Sequence, residues 1–72
     1  MNIRDTVILI LEENGIEIDD SGVLLNVDSL SFISIIVDIE QRFDIEFSEE
    51  LLEIGKFDTV EDWIRVVTYA NI

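Results

Sequence analysis

Apolar residues fall at helical spacing in four places along this chain, and no matched pair of strands stands beside them. Ile3, Val7, Ile10 and Leu11 follow i, i+4, i+7, i+8, and Asn14-Gly15 supplies a left-handed stop. The run Thr6 to Leu11 is β-branched enough to read as a strand in isolation, but without a partner strand the spacing predicts helix. The longest helix is expected from about Ser29 to Phe43. On a wheel of 100° per residue, Phe32, Ile33, Ile36, Ile39 and Phe43 share one face. Leu30, Ser31, Ser34, Val37, Asp38 and Gln41 lie around the other, where Leu30 and Val37 hint at a docking surface. Ser48-Glu49-Glu50-Leu51-Leu52 starts a short third helix, with Ser48 as cap, two acids in its positive first turn and Gly55 as its end. Thr59-Val60-Glu61-Asp62 has the form of a capping box with Asp62 in the usual Glu position. Val60, Trp63, Ile64 and Val67 give the last helix its buried face, with Trp63 expected as a core anchor.

Between the first two helices, residues 16–27 hold the turn cluster Asp19-Asp20-Ser21-Gly22 and the apolar patch Val23-Leu24-Leu25. They read as a long loop that packs its apolar residues on the bundle, and loops of this length are often functional. The predicted fold class is all-α: a small four-helix bundle of three main helices and one short third helix, residues 1–72 forming a single domain. At 72 residues without cysteine, such a domain folds on packing alone. With 49% apolar residues it can build one core, but not a core and a deep substrate cleft. A bundle of this kind presents a surface, or carries something on it.

Seventeen Asp and Glu against four Lys and Arg give a formal charge of −13. That sign repels nucleic-acid phosphates and anionic lipid, so neither is an expected partner. It attracts basic or mixed docking patches on proteins, besides favouring solubility and a monomer. The start, Met1-Asn2-Ile3-Arg4-Asp5, lacks a basic segment and cleavage site, and Thr6 to Leu11 is too short to span a bilayer; the cytoplasm is the expected location.

The absence of histidine and cysteine removes Ser-His and Cys-His nucleophilic arrangements. A self-activating Ser29 would need a base, and Lys56 is the only lysine. Asp19-Asp20-Ser21-Gly22 lacks the alternating ligands and closing Glu of a calcium loop, so no metal is expected. The chain is thus expected not to be an enzyme.

Asp28-Ser29-Leu30 sits where the acidic loop enters the longest helix. In the plain structural reading, Asp28 or Ser29 caps free backbone N–H groups. A serine there is also exposed, and the helix dipole favours a phosphodiester on it by about 0.3–1 kcal/mol. This suits a modification site and is too little to make a catalyst.

Over essentially its whole length the chain resembles the acyl and peptidyl carrier proteins. Asp28-Ser29-Leu30 matches their attachment motif, and Ile33-Ser34-Ile35-Ile36-Val37-Asp38-Ile39-Glu40 through Phe43 is similar to their second helix. Phe43-Asp44-Ile45-Glu46-Phe47-Ser48 resembles the link that follows, and Phe57-Asp58-Thr59-Val60-Glu61-Asp62 the start of the last helix. The resemblance implies that Ser29, flanked by Asp28 and Leu30, receives 4′-phosphopantetheine from coenzyme A through a phosphopantetheinyl transferase. The arm's thiol would hold acyl groups delivered by a loading enzyme and passed to condensing or transfer enzymes. A discrete acyl carrier of fatty-acid, polyketide or specialised biosynthesis is the leading expectation. A stand-alone peptidyl carrier and an unmodified acidic interaction module are the alternatives. Asn26 replaces the family's usual glycine, a position where tolerance of left-handed backbone would preserve the turn. Ser31 and Ser34 stand where fatty-acid carriers place acids, which implies a less electrostatic docking face centred on Leu30, Ser31, Ser34, Val37 and Asp38.

Overall fold

Asn2 begins the first helix: its backbone is extended, and its side-chain oxygen accepts the Asp5 N–H at 2.8 Å, pairing one of the donors a helix start leaves open. The computed structural model describes residues 2–48 and 57–70, which form helices α1 (Ile3–Glu13), α2 (Ser29–Phe43) and α3 (Val60–Ala70). The expected short helix after Ser48 lies outside these residues, so the four-helix count is not established while the all-α class is. No described helix is long and apolar enough to cross a membrane.

The predicted stop of α1 closes as a left-handed turn. Gly15 has φ +77°, its N–H donates to the Glu12 carbonyl at 3.0 Å, and the Ile16 N–H donates to that of Leu11 at 3.0 Å. Ile16 is buried, so the turn both ends the helix and returns the chain to the core. α1 packs against α2 and α3. Val7, Ile10 and Leu11 meet Ile35 and Ile39 of α2 and Val60, Trp63, Val66 and Val67 of α3 in one cluster, with Ile16 and Phe47.

Each such aliphatic side chain contributes roughly 1.5–3 kcal/mol on burial, whereas exposed ion pairs are worth about 0–1 kcal/mol. The ion pairs Arg4–Glu61 between α1 and α3 and Arg42–Glu13 between α2 and α1 are both exposed, so packing, not charge, holds the bundle.

Two details of phase differ from the sequence pattern. Ile33, expected on the buried face of α2, is 58% exposed, and Ile35 is fully buried in its place. The buried arc centres on Phe32, Ile39 and Phe43; Ile33 stands about 100° from Phe32 on one side, Ile35 about 60° on the other. In α3, Val66 joins the expected Val60, Trp63 and Val67 in the core, while Ile64 is only half-buried.

The loop is more ordered than its turn composition suggests. Asp19 Oδ1 accepts the N–H groups of Ser21 and Val23 at 2.8 and 2.9 Å, and Gly22 takes φ +85°. The Leu24 N–H donates to the Asp58 carbonyl and the Val60 N–H to that of Gly22, both at 2.9 Å, which stitches the loop to the start of α3. Leu24 packs with Ile18 and Val27 against the core, but Val23 and Leu25 stay exposed, so only part of the expected apolar patch is used. Isolated bridges pair Ile18 with Leu24 and Val23 with Thr59, and no strand forms among the described residues.

Asn26 does not occupy the left-handed region expected of it, since Asp44 is the only non-glycine residue with positive φ among those described. Its side chain works instead: Oδ1 accepts the Glu17 N–H at 2.8 Å and Nδ2 donates to the Gly15 carbonyl at 3.0 Å. An amide bridging the two ends of the loop fixes the approach to α2 without a backbone turn.

Candidate functional site

Val27 packs on the core, and the next three residues turn the chain into α2 at the surface. Asp28 is the N-cap, resolving which of Asp28 and Ser29 performs that role: its backbone is extended (φ −111°, ψ −179°), and its Oδ1 accepts the Ser31 N–H at 2.8 Å. Its carbonyl takes the Phe32 N–H at 2.9 Å, beginning the helical ladder. The Ser31 N–H, and after it the Ser31 hydroxyl, hold the Asp28 carboxyl below its ordinary value of 3.8 because both favour the ionised form. Ser29, first residue of the helix, is left exposed, and no hydrogen bond among the described residues engages its hydroxyl.

Acid is distributed unevenly over the helix starts. The first turn of α1 carries Asp5 and that of α3 carries Glu61 and Asp62, but the first turn of α2 carries none. In a chain with seventeen acids, the helix that bears Ser29 carries no acid in its own first turn beyond the Asp28 cap. A phosphodiester on Ser29 fits there: the N–H dipoles favour it, and no first-turn acid repels it.

Among the described residues no hydrogen bond links the Ser29 hydroxyl to a base. Arg4, Arg42 and Arg65 are each engaged by a carboxylate, of Glu61, Glu13 and Asp62 respectively. Lys56 lies outside the described residues. No group of side chains among the described residues could hold a metal ion. What remains is an accessible hydroxyl at a dipole-favoured position.

Beside it runs a stripe that the sequence pattern only half revealed. Leu30 and Val37 are 77% and 44% exposed, as the outer arc implied, and Ile33 joins them, so the three stand at i, i+3 and i+7 with exposed Ser34 alongside. The wheel angle of Ile33, between half-buried Phe32 and exposed Leu30, leaves its side undecided, and its apolar character assigns it inward. The other two expected docking residues also make bonds within the fold. Ser31 is half-buried with its backbone N–H on Asp28, and half-buried Asp38 accepts Asn14 Nδ2 at 2.8 Å, tying α2 to the end of α1.

The family model described as a phosphopantetheine attachment site matches residues 2–67. No curated protein and no solved structure matches the chain.

Proposed function

Because the chain belongs to the phosphopantetheine attachment-site family of acyl and peptidyl carrier domains, whose members carry covalent 4′-phosphopantetheine, we propose that Ser29 is the residue that carries the arm here. The single observation behind this choice is the exposed Ser29 hydroxyl at the one described helix start whose first turn holds no acid. Asp28 supports it from behind, because its carboxylate is occupied by Ser31 and leaves the Ser29 hydroxyl unclaimed.

Attachment needs only an accessible nucleophile from this chain. Ser29 Oγ forms a bond to the pantetheine-side phosphorus of coenzyme A as the diphosphate P–O bond breaks and adenosine 3′,5′-bisphosphate leaves. The hydroxyl proton passes to a base on the phosphopantetheinyl transferase. Once attached, the arm supplies a thiol that holds cargo as a thioester.

On this reading the domain tethers acyl groups for fatty-acid, polyketide or related specialised biosynthesis and does no chemistry itself. Its partners then dock on Leu30, Ile33, Ser34 and Val37 through an apolar patch, with basic groups around it to meet the acidic remainder of the surface. The same absence of acid along this face also supports a peptidyl or aminoacyl cargo, with an adenylating enzyme as the loading partner.

Incubation with coenzyme A and a broad-specificity phosphopantetheinyl transferase, read by intact mass, tests the carrier role. One phosphopantetheine per chain is the expected gain; native protein that gains nothing contradicts it. Under the same conditions Ile33→Glu is expected to keep the helical circular-dichroism spectrum and slow the gain, while an unchanged rate removes Ile33 from the docking face.

A further inference from the structure

Trp63 is the only tryptophan and is fully buried, yet its indole Nε1–H has no hydrogen-bond partner among the described residues. No other described polar side chain is buried without one. Such a donor gives up its bond to water on folding and receives none in return from the described residues, which folded proteins seldom leave uncorrected. The surroundings are aromatic: the Phe57 ring lies 4.5 Å from the indole and the Phe32 ring 5.6 Å, with Phe32 and Phe57 edge-on to each other at 5.1 Å. A trapped water is a poor answer, because it would need several polar partners and these rings provide none. Phe32 and Phe57 are themselves only half-buried, so one edge of the cluster reaches the surface. Phe32 follows Ser29 by three residues, which makes the two neighbours on the surface of α2.

We propose that the Trp63 indole N–H is the hydrogen-bond donor for a tethered carbonyl oxygen, borne by the arm on Ser29 or by its cargo and admitted between the Phe32 and Phe57 rings. This rests on Ser29 carrying the arm. The chemistry matches on both sides. Phosphopantetheine has two amide carbonyls and a thioester adds another, while the arm's geminal methyl groups and methylenes suit the faces of phenylalanine rings. Trp63 would then be a positioning residue, fixing where the arm lies when no partner enzyme holds it.

A single tryptophan gives a single indole cross-peak in the spectrum of ¹⁵N-labelled protein. That peak is followed in the apo protein, the holo protein, protein bearing an S-hexyl arm and protein bearing an S-hexanoyl arm, with intact mass confirming each load. A downfield proton shift in the holo form assigns the acceptor to the arm. A shift in the hexanoyl form but not in the holo or S-hexyl forms assigns it to the cargo carbonyl. A peak that stays in place in every loaded form overturns the proposal while leaving attachment intact; failure to load at all overturns the attachment reading, and this proposal with it. Trp63→Phe keeps an aromatic ring and removes the donor, so the rise in melting temperature expected when the native chain is loaded should be lost. A rise of equal size in Trp63→Phe also overturns the proposal, and if that variant does not fold, the native indole peak decides.

Discussion

The starts of α2 and α3 are built from similar residues and put to opposite uses. At α3, Thr59 and Asp62 cap each other: the Asp62 N–H donates to Thr59 Oγ1, and Asp62 Oδ2 accepts the N–H groups of Thr59 and Asp58, all at 3.1 Å. The Val60 N–H reaches across to the Gly22 carbonyl, and Glu61 pairs with Arg4 of α1. The Val60, Asp62 and Trp63 N–H groups at this end are paired, and its dipole faces two acids. At α2, Asp28 alone provides the side-chain cap, and the first turn is left without acid. The difference separates a helix start used to hold the fold from one that keeps an exposed hydroxyl in a favourable field.

Five changes would break or sharpen that contrast. The largest effect on stability is expected from Asp62→Ala, which removes the acceptor of two N–H groups where the loop joins α3; about 1–2 kcal/mol should be lost in urea unfolding. Asp28→Ala should lower stability less but slow phosphopantetheine transfer more, and equal losses at both sites would erase the distinction. Ser31→Glu places an acid three residues after the cap and so gives α2 a start like that of α3. Stability should rise by about 0.3–1 kcal/mol while transfer to Ser29 slows, measured by unfolding and by mass-gain kinetics.

The fourth change is in pH. Because the folded Asp28 carboxyl is held below 3.8 by Ser31, its contribution is complete above that value and disappears as pH falls through the folded value. Asp28→Asn can still cap, so its melting-temperature deficit should be visible near neutrality and vanish in acid; a deficit independent of pH would contradict the charged cap. The smallest effect is global: with a charge of −13, added salt should raise the melting temperature by screening repulsion, and a flat or falling curve would contradict this.

Local signals in the sequence carried the parts of the fold that local chemistry decides. The stop at Asn14-Gly15, the Asp62 form of the capping box and the first-turn position of Ser29 all depend on residues within four positions of one another, and each was legible. The phase of α2 was not, because Phe32, Ile33, Ile35, Ile36, Val37 and Ile39 place apolar groups around most of the wheel. Packing against α1 then selects Ile35 and Ile39 and leaves Ile33 and Val37 outside. Asn26 was misread for a related reason: its bonds to Glu17 and Gly15 span nine and eleven residues, beyond any turn rule. The bond Asp38 accepts likewise depends on Asn14, on another helix. The motif serine could thus be found from its neighbours in sequence, whereas the surface around it required the neighbours in space.

The central claim is that position, not the mere presence of a hydroxyl, selects the attachment residue. Ser31 and Ser34 follow Ser29 within two turns, and Ser21 and Ser48 lie farther off in the chain. Fragmentation mass spectrometry of the phosphopantetheinylated protein, alongside Ser29→Ala, separates them. The expected result is the whole added mass on Ser29 and none on the alanine variant; mass on Ser31 or Ser34, or a gain retained by Ser29→Ala, would contradict the account.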